Sequence, residues 1–150
     1  MMIDTTMLKV TPAQNHPPGP VDERVGCYDL ERGKWSDSRF VWDPSRSPVW
    51  FPDHLRLHWQ YQWRFGAGRY LVATDFAGKV TNTRVSWWRW RPVGTDSLVV
   101  DFGMSVEDTA FRGAAQGRDY MGKLSVRWDV GDRIWAPARL HRVECPEGGP

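Results

Sequence analysis

The chain has 150 residues, of which 41% are hydrophobic and 25% are charged, and its formal net charge is +2. This length predicts one domain with a core of its own, and so weak a charge argues against a nucleic-acid partner. The first ten residues do not form a secretory signal, and no stretch is apolar for long enough to span a membrane. We therefore expect a cytoplasmic protein without a membrane partner.

Proline content divides the chain into three parts. Four prolines fall within residues 11–24, where apolar residues are almost absent, so residues 1–24 are predicted to be a flexible N-terminal arm. Residues 25–145 are predicted to form a β-barrel domain. Residues 146–150, which contain Glu-Gly-Gly-Pro, are predicted to be a frayed tail.

Segments typical of strands follow one another, with turns rich in glycine, proline and aspartate between them. In chain order they are residues 24–30, 38–42, 54–65, 69–76, 80–91, 97–104, 123–130 and 133–144. Residues 105–122 form the longest irregular stretch, in which Ser105 would cap a short helix with Asp108 at its third position. Gly131 and Asp132 predict a two-residue hairpin turn. Short turns favour sequential antiparallel pairing, and closure removes exposed strand edges. The predicted fold is all-β: a single antiparallel meander barrel of about 7–9 strands with at most one short helix.

The two cysteines, Cys27 and Cys145, lie near opposite ends of the predicted barrel. They would meet if the first and last strands pair. In a reducing compartment two free thiols are expected instead.

Residues 54–65, His-Leu-Arg-Leu-His-Trp-Gln-Tyr-Gln-Trp-Arg-Phe, alternate almost without interruption. His54 and His58 lie four residues apart on the polar face, roughly 13 Å along a strand, which is too far for one shared metal ion. The other face of this strand carries the aromatic residues. The next strand should add its larger parity, Tyr70, Val72 and Thr74, to that aromatic face and so form a pocket wall.

Residues 86–91, Ser-Trp-Trp-Arg-Trp-Arg, place a tryptophan on each face of a strand. Period two puts Trp88 and Trp90 on one face, and Trp87, Arg89 and Arg91 on the other. The arginines would either stack on neighbouring indoles or line a pocket with Trp87 for an anionic or aromatic ligand.

Gly33-Lys34-Trp35 resembles the G-x-W pattern of lipocalins and related calycin barrels. The resemblance implies that a late-strand arginine, Arg139 or Arg142, packs across Trp35. Residues 58–65 and 86–102 also resemble segments of lipocalin-like phenolic acid decarboxylases and MoaF-type domains. Together these segments cover under half of the chain and imply the fold. That family uses a tyrosine pair, an arginine and a glutamate. Only Tyr28 matches a tyrosine, and residues 33–106 contain no glutamate, so the resemblance does not extend to the reaction.

In haem-binding calycin barrels a late-strand histidine is the proximal ligand, which makes His141 the position for a haem.

Candidate site residues come from the aromatic strands and from carboxylates with apolar neighbours. Alternation places Asp101 outside the core. The loop at 105–122 would supply Asp119 and Tyr120 as lid residues. The candidate catalytic residues are Tyr28, Tyr70, Arg89 and Asp101. The candidate ligand-binding residues are Trp59, Tyr61, Trp63, Trp87, Trp88, Trp90, Tyr120 and Trp128.

We consider three functions, in order of preference. The first is a small barrel that binds a hydrophobic or aromatic molecule, and acts on it as a cofactor-independent lyase, isomerase or cyclase. The second is a module that binds carbohydrate or single-stranded nucleic acid on exposed tryptophans. The third is an accessory subunit that uses an aromatic and arginine patch. No metal and no cofactor other than haem are expected, and a homodimer is compatible with all three.

Overall fold

The fold is known from a computed structural model that describes residues 9–12, 23–36, 51–64, 68–80, 85–128 and 133–146. The elements whose bounds lie within these ranges are all strands. They are β1 Lys9–Pro12, β2 Gly26–Arg32, β3 His54–Arg64, β4 Gly68–Asp75, β5 Trp87–Val93, β6 Ser97–Met104, β7 Glu107–Gln116, β8 Asp119–Trp128 and β9 Arg133–Val143. The candidate strand at 38–42 and the candidate turn at 131–132 lie outside the described residues. No helix long and apolar enough to span a membrane is present in the described ranges.

The strands β2 to β9 close into an eight-stranded antiparallel barrel. Each strand from β3 to β8 pairs with the next one in the chain, and β2 pairs with both β3 and β9. Because every strand of this ring has a neighbour on each side, the ring leaves no strand at an open edge. β1 pairs with residues 60–63 of β3, beyond the residues that pair with β2. The predicted antiparallel meander barrel is confirmed.

Apolar side chains from successive strands fill the barrel in layers. Residues that lie opposite one another in antiparallel pairs point to the same face, so the strand registers identify the inner side chains. None of the side chains in two adjacent layers is more than 2% exposed. One layer contains Trp90, Val100, Phe111, Leu124 and Ala136, and the other contains Trp88, Phe102, Thr109, Val126 and Ile134.

The register between β3 and β4 corrects one sequence prediction. Leu57 lies opposite Ala73, and Tyr61 lies opposite Leu71, with an irregularity in β3 between the two pairs. The inner face of β4 therefore carries Leu71 and Ala73, whereas Tyr70, Val72 and Thr74 have the outer parity. The prediction was wrong because it assigned the larger side chains to the interior, although β4 is buried along both parities.

Residues 105–122 form strands and a tight turn, where the sequence suggested a loop and a short helix. Ser105 lies in the turn before β7, and only Gly117 and Arg118 separate β7 from β8. Tyr120 is 5% exposed on the inner face of β8, and Asp119 begins that strand, so neither is a lid residue.

The glycines of β7 and β8 made these two strands difficult to recognise from the sequence. Gly113 of β7 lies opposite Gly122 of β8. A Cβ added at Gly122 would lie 1.9 Å from the carbonyl oxygen of Arg112, and one at Gly113 would lie 2.6 Å from the ring of Phe111. These positions need glycine because backbone and an aromatic ring approach closely there.

Cys27 and Cys145 form a disulfide, which corrects the expectation of two free thiols. Cys27 lies on β2 and pairs with Val143 of β9, so closure of the barrel brings the two sulfur atoms together. The bond joins residues 118 positions apart and fastens the first barrel strand to the segment that follows the last.

The arginine contacts differ from those that the lipocalin resemblance implied. The guanidinium of Arg32, on the same segment, lies 4.8 Å from the ring centre of Trp35. Arg142 stacks instead on Tyr28 at 4.6 Å, and Arg139 pairs with Glu31. Trp35 follows the end of β2 that pairs with Ala138, whereas Arg142 lies opposite Tyr28 near the start of β2, so the described contact of Arg142 is with Tyr28 and not with Trp35.

Candidate functional site

A pocket of about 620 Å³ lies where β4 and β5 separate. The ladder between these strands has only two residue pairs, Leu71 with Trp90 and Val72 with Arg89. Beyond Leu71, β4 continues its pairing with β3, and β5 continues its pairing with β6. The volume lies in the range of small-molecule sites. The pocket is lined by Tyr61, Tyr70, Leu71, Arg89, Trp90, Arg91, Pro92, Val99, Asp101, Asp108, Ala110 and Arg112.

Both faces of the barrel wall contribute to this pocket, which we call the β4–β5 pocket. Tyr61, Leu71 and Trp90 belong to the inner parity, because their registers align them with the core layer. The charged residues come from the outer face of β5, β6 and β7. The pocket thus joins an aromatic surface to a charged one, whereas the sequence predicted a wall built from one aromatic parity.

Asp101 is the more buried member of the ion pair that it forms with Arg89 in this pocket. It lies opposite Arg89 in the β5–β6 register, and its Oδ2 atom accepts hydrogen bonds from Nε and Nη2 of Arg89 at 3.2 and 3.0 Å. Its side chain is 14% exposed, against 38% for Arg89. The outward orientation that alternation predicted for Asp101 agrees with this register, although the side chain is far from fully solvated.

A second carboxylate, that of Asp108, shares a donor with Asp101. The indole Nε1 of Trp87 donates to Oδ1 of Asp101 at 3.2 Å and to Oδ1 of Asp108 at 3.0 Å. Gly103 lies between Trp87 and Asp108 in the registers, and a Cβ there would lie 2.9 Å from Oδ1 of Asp108. The absence of a side chain at Gly103 therefore leaves room for the indole and the carboxylate to meet.

The surroundings of Asp101 raise its pKa to about 7. Burial is the main cause, because it disfavours the charged carboxylate. The hydrogen bond and the negative charge of Asp108 act in the same direction, and the charge and hydrogen bond of Arg89 act against them. At neutral pH the side chain of Asp101 therefore exchanges between a proton donor and a proton acceptor.

Cations and aromatic rings surround the carboxylate pair. Arg91 and Arg112 both lie opposite Val99, on the outer face of β5 and β7. The guanidinium of Arg89 lies 5.1 Å from the ring centre of Trp87, so the stacking proposed for residues 86–91 occurs at the edge of the pocket itself. With three arginines against two aspartates, the lining carries a net positive charge.

Three of the four candidate catalytic residues come together here. Tyr70, Arg89 and Asp101 line the β4–β5 pocket. Tyr28 lies elsewhere, fully buried on the inner face of β2, where burial raises the pKa of its hydroxyl and the hydroxyl donates to the carbonyl oxygen of Arg24 at 2.7 Å.

The candidate ligand-binding residues are dispersed. Tyr61 and Trp90 line the pocket, and Trp87 holds its two carboxylates. The other described members lie outside the lining, and the side chain of Trp63 lies outside the described residues. Trp88 is 2% exposed in the core, Trp59 packs against the core, Tyr120 contacts Tyr28, and Trp128 donates to Glu107.

The candidate site residues predicted from the sequence do not include three charged residues of the pocket, namely Arg91, Asp108 and Arg112. Arg91 had been placed beside Arg89 by alternation but was not selected. Asp108 and Arg112 belong to the segment that was interpreted as a loop. The alternation of Asp108, Ala110 and Arg112 against Thr109 and Phe111 is the signal that would have identified an outer face.

The three histidines that the structure describes are separate from this pocket. His54 is exposed and pairs with Asp29 at 2.7 Å, and His141 contacts Asp119 at 3.2 Å on the outer face of β9. His141 therefore does not face the interior, where a barrel-bound haem would lie. Burial lowers the pKa of His58 to about 4, and its ring contacts the hydroxyl of Thr74. Within the described ranges no three histidine, cysteine or acidic side chains form a group able to hold a metal ion.

No protein-family model matches the chain, and neither the curated proteins nor the solved structures include one that is significantly similar to it.

Proposed function

We propose that this protein binds a small aromatic molecule with an anionic group in the β4–β5 pocket. The observation that carries the proposal is the convergence of Asp101, Asp108 and Arg89 in a pocket that also has aromatic walls. Few polar groups at fixed positions in a concave aromatic site are typical of small-molecule binding. An ionisable group with a strongly perturbed pKa in such a cleft is typical of functional sites.

The charge of the lining selects for an anion. Arg91 and Arg112 lie on the charged side of the pocket, and no described ion pair ties either one to a carboxylate. A guanidinium binds a carboxylate in a planar, bidentate manner, which gives both affinity and orientation. Tyr61 is partly exposed and offers its ring to the apolar part of the ligand, and the buried residues Tyr70 and Trp90 complete the aromatic side of the lining.

The same groups are suited to acid–base chemistry on the bound molecule. A carboxyl with a pKa near the ambient pH serves as proton donor and acceptor with similar ease. Asp101 would transfer the proton, Asp108 would stabilise its protonated form, and Arg89 would orient it. Lyases and isomerases that work without a cofactor use this type of proton transfer, and this chain would belong to that class.

Benzoate and benzamide test the binding, because they share a ring and differ in charge. Isothermal titration calorimetry should give tighter binding for benzoate than for benzamide. The double variant Arg91→Gln and Arg112→Gln should weaken benzoate binding by about tenfold or more and leave benzamide nearly unchanged. Arg127→Gln, an exposed position on β8 outside the pocket, is the matched control. Equal affinity for the two probes, or the same loss in the control, would contradict the proposal.

The disulfide bears on location. Disulfides persist in oxidising compartments and are rare in the cytosol. Since both cysteines of the chain are paired, an oxidising compartment fits the protein better than the cytoplasm that the sequence predicted. Protein expressed in an oxidising host should contain the disulfide, and protein from a reducing host should have two free thiols, as measured by thiol alkylation. The oxidising host should give the higher yield of folded protein.

No specific observation favours the second function, a tryptophan platform for sugars or single strands. Trp88 and Trp90 are each 2% exposed, so they present almost no ring surface to solvent, and the ring of Trp135, a residue that is 40% exposed, has the amino group of Lys123 at 4.3 Å from its centre.

A further inference from the structure

A buried arginine lies at the end of the barrel where β2 begins. Arg24 is 1% exposed, and its Nη2 atom donates to the carbonyl oxygen of Gly94, in the turn between β5 and β6, at 3.1 Å. Its Nε and Nη1 atoms are buried and have no hydrogen-bond partner. These two atoms carry three of the five N–H donors of a guanidinium. Burying the N–H donors of a charged group without acceptors costs free energy. A hydrogen-bond acceptor is therefore missing from this arrangement.

A second guanidinium, that of Arg142, lies at the same end. Its Nη1 atom donates to the carbonyl oxygen of Val25 at 2.9 Å, Nη2 donates to that of Glu23, and Nε has no partner. Its planar group stacks on the ring of Tyr28. Among the described residues, no carboxylate forms an ion pair with Arg142 or Arg24.

The backbone is shaped to admit this arginine. Gly26 has a φ of +146°, and a Cβ there would lie 2.6 Å from Nη1 of Arg142. Tyr28 and Tyr120 complete the cluster with ring centres 5.9 Å apart, and the hydroxyl of Tyr28 donates to the carbonyl oxygen of Arg24. Two cations and two phenols thus converge on one barrel end, and no described ion pair joins either guanidinium to the neighbouring carboxylates of Glu23 and Asp119.

We propose that this end of the barrel binds a small oxyanion, a carboxylate or a phosphate group, through the unpartnered N–H groups of Arg24 and Arg142. Such an anion supplies the acceptors that the two guanidinium groups lack, together with a charge opposite to theirs. None of these residues lines the β4–β5 pocket, so the site is separate from the one proposed above.

Nuclear magnetic resonance of the arginine Nε–H groups tests this in the wild-type protein. Titration with sodium phosphate, and separately with sodium acetate, should shift the Nε–H resonance of Arg24 along a saturable curve. Sodium chloride at the same ionic strength should not. A response to acetate alone identifies a carboxylate ligand, and a response to phosphate alone identifies a phosphate. A resonance that follows ionic strength only, or does not move, would overturn the proposal and leave Arg24 as a structural cation.

Variants locate the site. Arg24→Met should weaken binding of the responding anion by at least about tenfold in calorimetry. Arg127→Gln, an exposed arginine at the opposite end of β8 from Tyr120, is the matched control and should bind as the wild type does. The double variant Arg91→Gln and Arg112→Gln should also retain this response, because it alters only the β4–β5 pocket. An equal loss in Arg127→Gln would contradict the assignment. If Arg24→Met does not fold, the wild-type titration decides alone.

Discussion

At the scale of single residues, Asp101 shows how a side chain on the outer face of a barrel becomes buried. Alternation along β6 predicts its orientation, and its apolar neighbours marked it as an acid–base candidate. Burial and then Asp108 raise its pKa, whereas Arg89 lowers it, and Trp87 donates a hydrogen bond to both carboxylates. These contacts depend on the register of three strands, which residue patterns do not encode, so the residue was predictable and its chemistry was not.

His58 gives a prediction for acid stability. Its pKa in the folded protein, about 4, is lower than the ordinary value near 6.5, because burial disfavours the charged imidazolium. The unfolded chain therefore takes up a proton as the pH falls from 6.5 to 4 and the folded chain does not, so stability is lost in that window. Between pH 6.5 and pH 4 the free energy of unfolding of His58→Gln should fall by up to about 3 kcal/mol less than that of the wild type, as measured by urea unfolding at each pH.

His54→Gln is the control for that measurement, since it removes an exposed imidazole from the same face of β3. We expect it to keep the acid-dependent loss of the wild type. The same pH dependence in His58→Gln and wild type would show that the ring of His58 is not held neutral.

At the scale of elements, prediction succeeded where side chains alternate in size and polarity. β3 was predicted to within one residue and β6 exactly at its bounds, because both mix aromatic or β-branched residues with polar ones. β7 and the first half of β8 were missed, because Gly113, Gly122 and several alanines give them the composition of a loop. Their small side chains serve close approach of the two backbones, a tertiary requirement.

A substitution at Gly122 tests this explanation. Gly122→Ala should destabilise the protein by about 3 kcal/mol or more in chemical denaturation, because its Cβ would meet the backbone of β7. Gly94→Ala is the control: its φ is +61°, yet no atom lies within 4 Å of an added Cβ, so only the backbone strain of about 1–2 kcal/mol is expected. Equal losses would mean that contact with β7 is not the reason for glycine at position 122.

At the scale of the whole molecule, closure joins the two ends of the described barrel. The pairing of β2 with β9 was the condition under which the cysteines would meet, and that pairing is present. The barrel was predictable from the number of strands and the short turns between them. The β4–β5 pocket was not, because it arises from a two-pair ladder that depends on how adjacent strands diverge.

The disulfide should account for a large share of the stability. Chain-entropy arguments for a loop of this length give about 5 kcal/mol. The Cys27→Ser and Cys145→Ser double variant should lose roughly that amount in guanidinium unfolding, and reduced wild-type protein should match it. Identical midpoints for oxidised and reduced wild type would contradict a disulfide that fastens the barrel.

We propose that Asp101 gains and loses a proton near neutral pH in a site for an anionic ligand. The titration of Asp101 itself tests this most directly. The ¹³Cγ resonance of Asp101, followed against pH, should have a midpoint near 7 in the free protein. Saturation with benzoate should move the midpoint upward, because a bound anion favours the neutral carboxyl and linkage is reciprocal. A midpoint near the ordinary value of about 4 that benzoate does not move would contradict the account.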